Sequence, residues 1–144
     1  MSQPSIPNEQ SRQHAIHLLS EKILKTTGFS REQSVSWDKR GEKATGHVWE
    51  GSLEVRKEGS PPGSEYPLRL DDLPLVELLN KSQEETFPFP VGTVLTCEIN
   101  KPPPQEKKTI KCVVTALLVT VVDYRLRAYY LLPDELQKGD MMNP

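Results

Sequence analysis

Apolar positions recur along this chain at two different periods, and the change of period separates one helix from a series of strands. Ile16, Leu19, Ile23 and Leu24 stand at i, i+3, i+7 and i+8, which gathers them on one stripe of a helix. Flanking residues bound that helix at 8–27. Asn8 suits the N-cap, Glu9 the first turn and Lys22 and Lys25 the last, while Gly28 stands where a left-handed C′ residue belongs. Phe29 is then placed to fold back onto the stripe, and residues 1–7 read as a disordered lead-in.

From residue 35 the period falls to two. Val35 and Trp37 alternate with serines and predict a short strand, closed by a turn at Asp38-Lys39-Arg40-Gly41. Trp49, Leu53 and Val55 alternate with Glu50, Ser52, Glu54 and Arg56, a half-buried strand whose odd residues point inward. A Gly/Pro loop at 58–64 leads to Tyr66, Leu68 and Leu70, the returning strand of a hairpin. Asp71 or Asp72 opens a short helix with Pro74 in its first turn and Leu75, Leu78 and Leu79 along it. Leu95, Cys97 and Ile99 form the inward row of the next strand, before a loop at 100–108 that holds three prolines.

Residues 109–132 decide the fold class. Lys111, Thr115, Asp123, Arg125 and Arg127 all occupy odd positions, whereas the even positions are apolar except for Thr120. On a helix those polar residues would scatter around the axis, and the stretch is rich in β-branched residues, so it is extended. At about 3.3 Å per residue it would run nearly 80 Å, too long for one strand of a small domain, so it must turn. The expected corner lies near Thr120 to Tyr124. If Ile99 faces Ile110 across the proline loop, Leu95 faces Val114 and Cys97 faces Cys112. Val113, Leu117, Val119 and Val121 make the strand apolar on its other face too, to be covered by the N-terminal helix or by a partner protein. Pro133 to Leu136 start a last short helix, and residues 137–144 read as a frayed tail.

These elements predict an α+β fold: a small, mostly antiparallel curved sheet or barrel of about six strands, with the amphipathic N-terminal helix packed on it, in a single domain spanning 8–136. The 144 residues suit one core, and 13 prolines punctuate the chain at its loops rather than filling it. Eighteen basic against 20 acidic side chains argue against general affinity for a polyanion. Met1 to Gln13 holds no apolar signal core, and the most apolar run, Val113 to Val122, is half the length of a membrane span, so no membrane association is expected. Two cysteines without an export signal point to a reducing compartment, cytoplasm or nucleus.

Candidate chemistry is sparse. Cys97 and Cys112 lack further ligands nearby for a metal, and His14 and His17, three apart on the helix, have no Cys, His or acidic motif to complete a site. Gly41 to Gly46 has the glycine spacing of a phosphate loop, but His47 stands where the lysine is needed. No nucleophile elbow occurs, and the acid pairs Asp71/Asp72 and Glu84/Glu85 fall in caps or polar loops. No cofactor or metal is therefore expected. The candidate binding surface is basic and aromatic: Lys107, Lys108 and Lys111 at the proline loop, with Arg125, Arg127 and Tyr129 on the outward parity of a neighbouring strand.

Val48-Trp49-Glu50-Gly51-Ser52-Leu53 resembles the opening strand of SPOC-type transcription adaptor barrels. That resemblance spans six residues and transfers no site. The leading expectation is a non-catalytic protein-interaction module or small subunit of an intracellular complex, its partner another protein covering the sheet or the helix. A single-stranded nucleic-acid binder on an OB-like barrel is the alternative, and an enzyme without a sequence motif comes third.

Overall fold

The computed structural model describes residues 8–99 and 108–138. Helix α1 spans Asn8–Thr27, and Ile16, Leu19, Ile23 and Leu24 are all buried on its inner face. Its end is a Schellman motif. Gly28 takes φ +86°, Phe29 N–H reaches Leu24 O at 3.1 Å and Gly28 N–H reaches Lys25 O at 3.3 Å, while Phe29 buries in one cluster with Leu24.

Among the described residues seven strands follow: β1 Ser34–Lys39, β2 Glu42–Lys57, β3 Tyr66–Leu68, β4 Val94–Ile99, β5 Lys108–Asp123, β6 Ala128–Leu131 and β7 Leu136–Lys138. A second helix, α2 (Leu75–Ser82), separates β3 from β4. Every pairing is antiparallel, and the order β4-β5-β2-β1-β7 leaves the sheet open rather than closed into a barrel. The α+β class and the helix packed on an antiparallel sheet are as expected, with seven strands in place of six.

The 16-residue strands β2 and β5 form a central ribbon. The free edge of β2 pairs with β1 near its start and β3 near its end, and that of β5 pairs with β4 and then β6. Each end of the ribbon therefore carries its own flanking strands and its own core cluster. One, around Leu19, Ile23, Leu53, Val55, Phe89 and Val114, lies beneath α1 and α2. The other gathers Leu24, Phe29, Trp37, Val48, Val119, Val121 and Leu136.

Two bulges break the ribbon and overturn part of the expected alternation. The pairing steps from Val48↔Val121 to Glu50↔Thr120, so Trp49 is an extra residue on β2. It is 45% exposed, not inward as its parity suggested. On β5 the pairing passes from Ala116↔Glu54 to Val114↔Val55, leaving Thr115 extra, and its hydroxyl donates to the Glu54 carbonyl at 3.1 Å. Beyond Thr115 the parity reverses: cross-strand partners share a face, so Leu117, Val119 and Val121 join Leu53, Gly51 and Val48 on the core side. The opposite face keeps Val113, Ala116, Leu118 and Val122, so β5 is apolar on both sides as expected, with different residues on the second face, of which Leu118 is buried and the others partly buried. At its centre Ser52 and Thr120 are buried and share a hydrogen bond of 3.0 Å.

Three local expectations also shift. The β4–β5 register is displaced by two residues, pairing Cys97 with Ile110 and Leu95 with Cys112; a two-residue slip preserves which side chains point inward. The corner after β5 falls at residues 124–127, later than expected, with Leu126 at φ +64°. Gln137 and Lys138, read as the start of a tail, belong to β7 and pair with Ser36 and Val35. The lead-in 1–7, the proline loop from 100 to 107 and residues 139–144 lie outside the described residues.

Between the stretches of β2 that pair with β1 and β3, α1 crosses the open edge. Ser20 Oγ accepts the Gly51 N–H at 2.9 Å, and a Cβ on Gly51 would lie 2.6 Å from Ile23 Cβ. Only glycine admits this approach. Arg12 of α1 donates to Leu73 O at 2.9 Å and Lys22 to Glu84 O at 2.9 Å, tying the helix to the segments flanking α2.

Candidate interaction surface

The β5–β6 loop is built around one carboxylate. Asp123 is buried at the end of β5, where its Oδ1 accepts the N–H of Arg125 at 2.9 Å and of Arg127 at 3.0 Å. Its Oδ2 accepts Arg127 Nε and the Tyr129 hydroxyl, both at 3.1 Å. Burial opposes the charge, but the two backbone N–H groups, the tyrosine and the guanidinium outweigh it and hold the carboxyl down at about 2. An ionised aspartate thus replaces the glycine or asparagine usual at such a corner.

This anchoring fixes an unusual tip. Tyr124 and Leu126 are 79% and 82% exposed, and Arg125 lies between them with its guanidinium 5.4 Å from the Tyr124 ring centroid. Two large apolar side chains and an arginine are held out on a loop that Asp123 ties down through two backbone N–H groups and two side chains. Arginine and tyrosine are among the residues that most often dominate protein–protein binding energy, and a rigid loop loses little entropy when it binds.

The structure separates the expected basic and aromatic surface into two places. Lys111 is exposed on β5 opposite Thr96, and Lys108 pairs with Ile99 at the start of the same strand. Lys107 lies outside the described residues. Arg125, Arg127 and Tyr129 are at the far end: Tyr129 pairs with Val121, ten residues along β5 from Lys111, or about 33 Å at full strand rise. Tyr129 also turns to the core side, its ring 5.4 Å from that of Trp37, with Lys39 Nζ donating to its hydroxyl at 2.9 Å. Arg127 is exposed but paired with Asp123, which leaves Arg125 as the cation of the tip without an ion pair among the described residues.

A second concave feature was not legible in the sequence. Trp49, pushed out by its bulge, borders a cleft of about 300 Å³ between α1 and the open edge of β2. Arg31 stacks on the indole with its guanidinium 5.1 Å from the centroid. Arg69 pairs with Asp71 at 2.7 Å on the far wall. Glu50 also lines the cleft, half-buried, and accepts no hydrogen bond or ion pair among the described residues. Burial pushes its carboxyl up, with Asp71 adding to the rise and Arg69 and Arg31 opposing it.

The two thiols sit in the core beneath α2. Tyr66 Oη lies 3.2 Å from Cys112 Sγ, and burial pushes the Cys97 thiol up, aided by its contact with Cys112. This is the reverse of the shift that activates a cysteine nucleophile. Among the described residues no three His, Cys, Asp or Glu side chains converge as metal ligands, and no helix is long and apolar enough to cross a membrane. The fold defines an open antiparallel α+β domain with an anchored apolar tip. No protein-family model matches the chain, and no curated protein matches it either.

Proposed function

We propose that the protein is a non-catalytic interaction module, a small subunit that docks onto another protein through the β5–β6 tip. The observation that carries this reading is the pairing of exposure with rigidity: Tyr124 and Leu126 face solvent on a loop pinned by Asp123. Apolar side chains held out in this way gain by being covered. Val122, partly exposed at the end of β5, adjoins the tip, and free thiols at Cys97 and Cys112 suit a reducing compartment, cytoplasm or nucleus.

The test is differential capture. Immobilised wild type and the double variant Tyr124→Ser/Leu126→Ser are compared against the same native lysate, with circular dichroism to show that both are folded. A protein retained by wild type and reduced at least tenfold on the variant supports the reading; equal retention of every species overturns it. Titration with a 20-mer oligothymidine at low salt tests the nucleic-acid alternative, which predicts tight binding that salt weakens.

A further inference from the structure

The Trp49 cleft holds a carboxylate, Glu50, that makes no hydrogen bond or ion pair among the described residues, although Arg69 and Arg31 act on it through space. Arg69 is satisfied by Asp71, and Arg31 is committed to the indole face. Glu50 has no such direct contact among the described residues, and it is half-buried in the same cleft. With Glu21 of α1, three carboxylates line the space together with two arginines and His17. The bulge that creates the cleft also supplies its aromatic edge, since a regular strand would have no residue at position 49 to extrude.

We propose that this cleft receives a basic side chain, a lysine ammonium or an arginine guanidinium, presented by the protein partner, with Glu50 as its counter-ion and the Trp49 indole against its aliphatic stem. This rests on reading the protein as an interaction module and assigns that partner a chemistry. A half-buried carboxylate without a donor gains most from a cation, whereas an acidic ligand would meet Glu21, Glu50 and Asp71 together. Lysine and arginine both combine a long apolar stem with a charged head, matching an indole beside a carboxylate. Arg31, already stacked, occupies one indole face, and Glu50 lines the same cleft as the indole.

The experiment uses the full chain labelled with ¹⁵N and a capped tetralysine peptide as probe. Its two tryptophans give two indole N–H signals, assigned with Trp49→Phe, and Trp37 serves as the internal control. Tetralysine is expected to shift the Trp49 signal and leave that of Trp37 in place; Glu50→Gln weakens the titration at least tenfold, and a capped tetraglutamate gives no shift. Absence of a shift, a titration unchanged in Glu50→Gln, or a response to tetraglutamate overturns the assignment. Capture separates this failure from that of the module itself. A partner lost on Tyr124→Ser/Leu126→Ser but retained on Glu50→Lys leaves the module standing and removes the cleft from it. A partner lost on both supports both.

Discussion

The hydroxyl of Ser20 accepts the N–H of Gly51 at 2.9 Å, so a helical side chain does for β2 what a neighbouring strand does elsewhere in the sheet. This bond sits where Ile23 and Gly51 touch, and it sets how closely α1 lies on the ribbon. Position 51 can carry no side chain without moving the helix.

Gly51→Ala is therefore expected to destabilise the protein by roughly 1–3 kcal/mol, the usual cost of overpacking a filled core. Urea unfolding followed by circular dichroism measures it. An unchanged midpoint would mean that α1 does not press on β2. Ile23→Ala, which empties the other side of the same contact, is expected to cost about 2–5 kcal/mol.

Acid should release the tip. The Asp123 carboxyl is held at about 2, against an ordinary 3.8. A carboxyl lowered by folding contributes stability that is full above its unfolded value and is lost as pH falls through the folded one. The contribution is thus present above about pH 4 and disappears toward pH 2. Melting temperature followed across that window should fall more steeply in wild type than in Asp123→Asn, which lacks the titrating group. Parallel curves would refute the anchoring role.

Glu50 should behave in the opposite sense. Its carboxyl is raised above 4.5, so ionisation opposes the folded state and its stabilising contribution fades as pH rises. Glu50→Gln is expected to melt above wild type at pH 7, and the two curves should converge below pH 4.5. A variant less stable than wild type at pH 7 would show that the charged carboxylate has a partner.

The thiols should be silent in the folded protein. Cys97 and Cys112 are buried, and Cys97 resists ionisation, so a disulfide reagent at pH 8 should react with neither until denaturant unfolds the chain. Rapid labelling of either one without unfolding would contradict their place in the core.

Much of the architecture was readable from side-chain periodicity because one buried face per element dictates it. The stripe of α1, its glycine stop and the extended nature of residues 109–132 follow from patterns that burial enforces. The bulges were not readable. Trp49 and Thr115 each add one residue without Gly or Pro, and an apolar residue on either side of the break looks like uninterrupted alternation. The clue at the corner was Asp123, an acid at the end of an apolar run, where its side chain can accept from the backbone that follows. The slip between β4 and β5 escaped because a shift by two retains every inward residue.

The separation of Lys111 from Arg125 has the same origin. Parity states which side of a strand a residue occupies but not how far along it lies, and β5 is long enough to place the two groups at opposite ends. The cleft beside Trp49 was hidden for a different reason. It joins α1, the bulge and the segment at Arg69 to Asp71, and only tertiary packing brings these together.

Because Trp49 and Thr115 are each a single surplus residue, excising either one would fuse two ladders that already share a common phase. Every remaining side chain would keep its present side, and the ribbon would merely straighten. Chains one residue shorter at either point can therefore inherit the same architecture. Loss of Trp49 would strip the cleft of its indole and spare the scaffold.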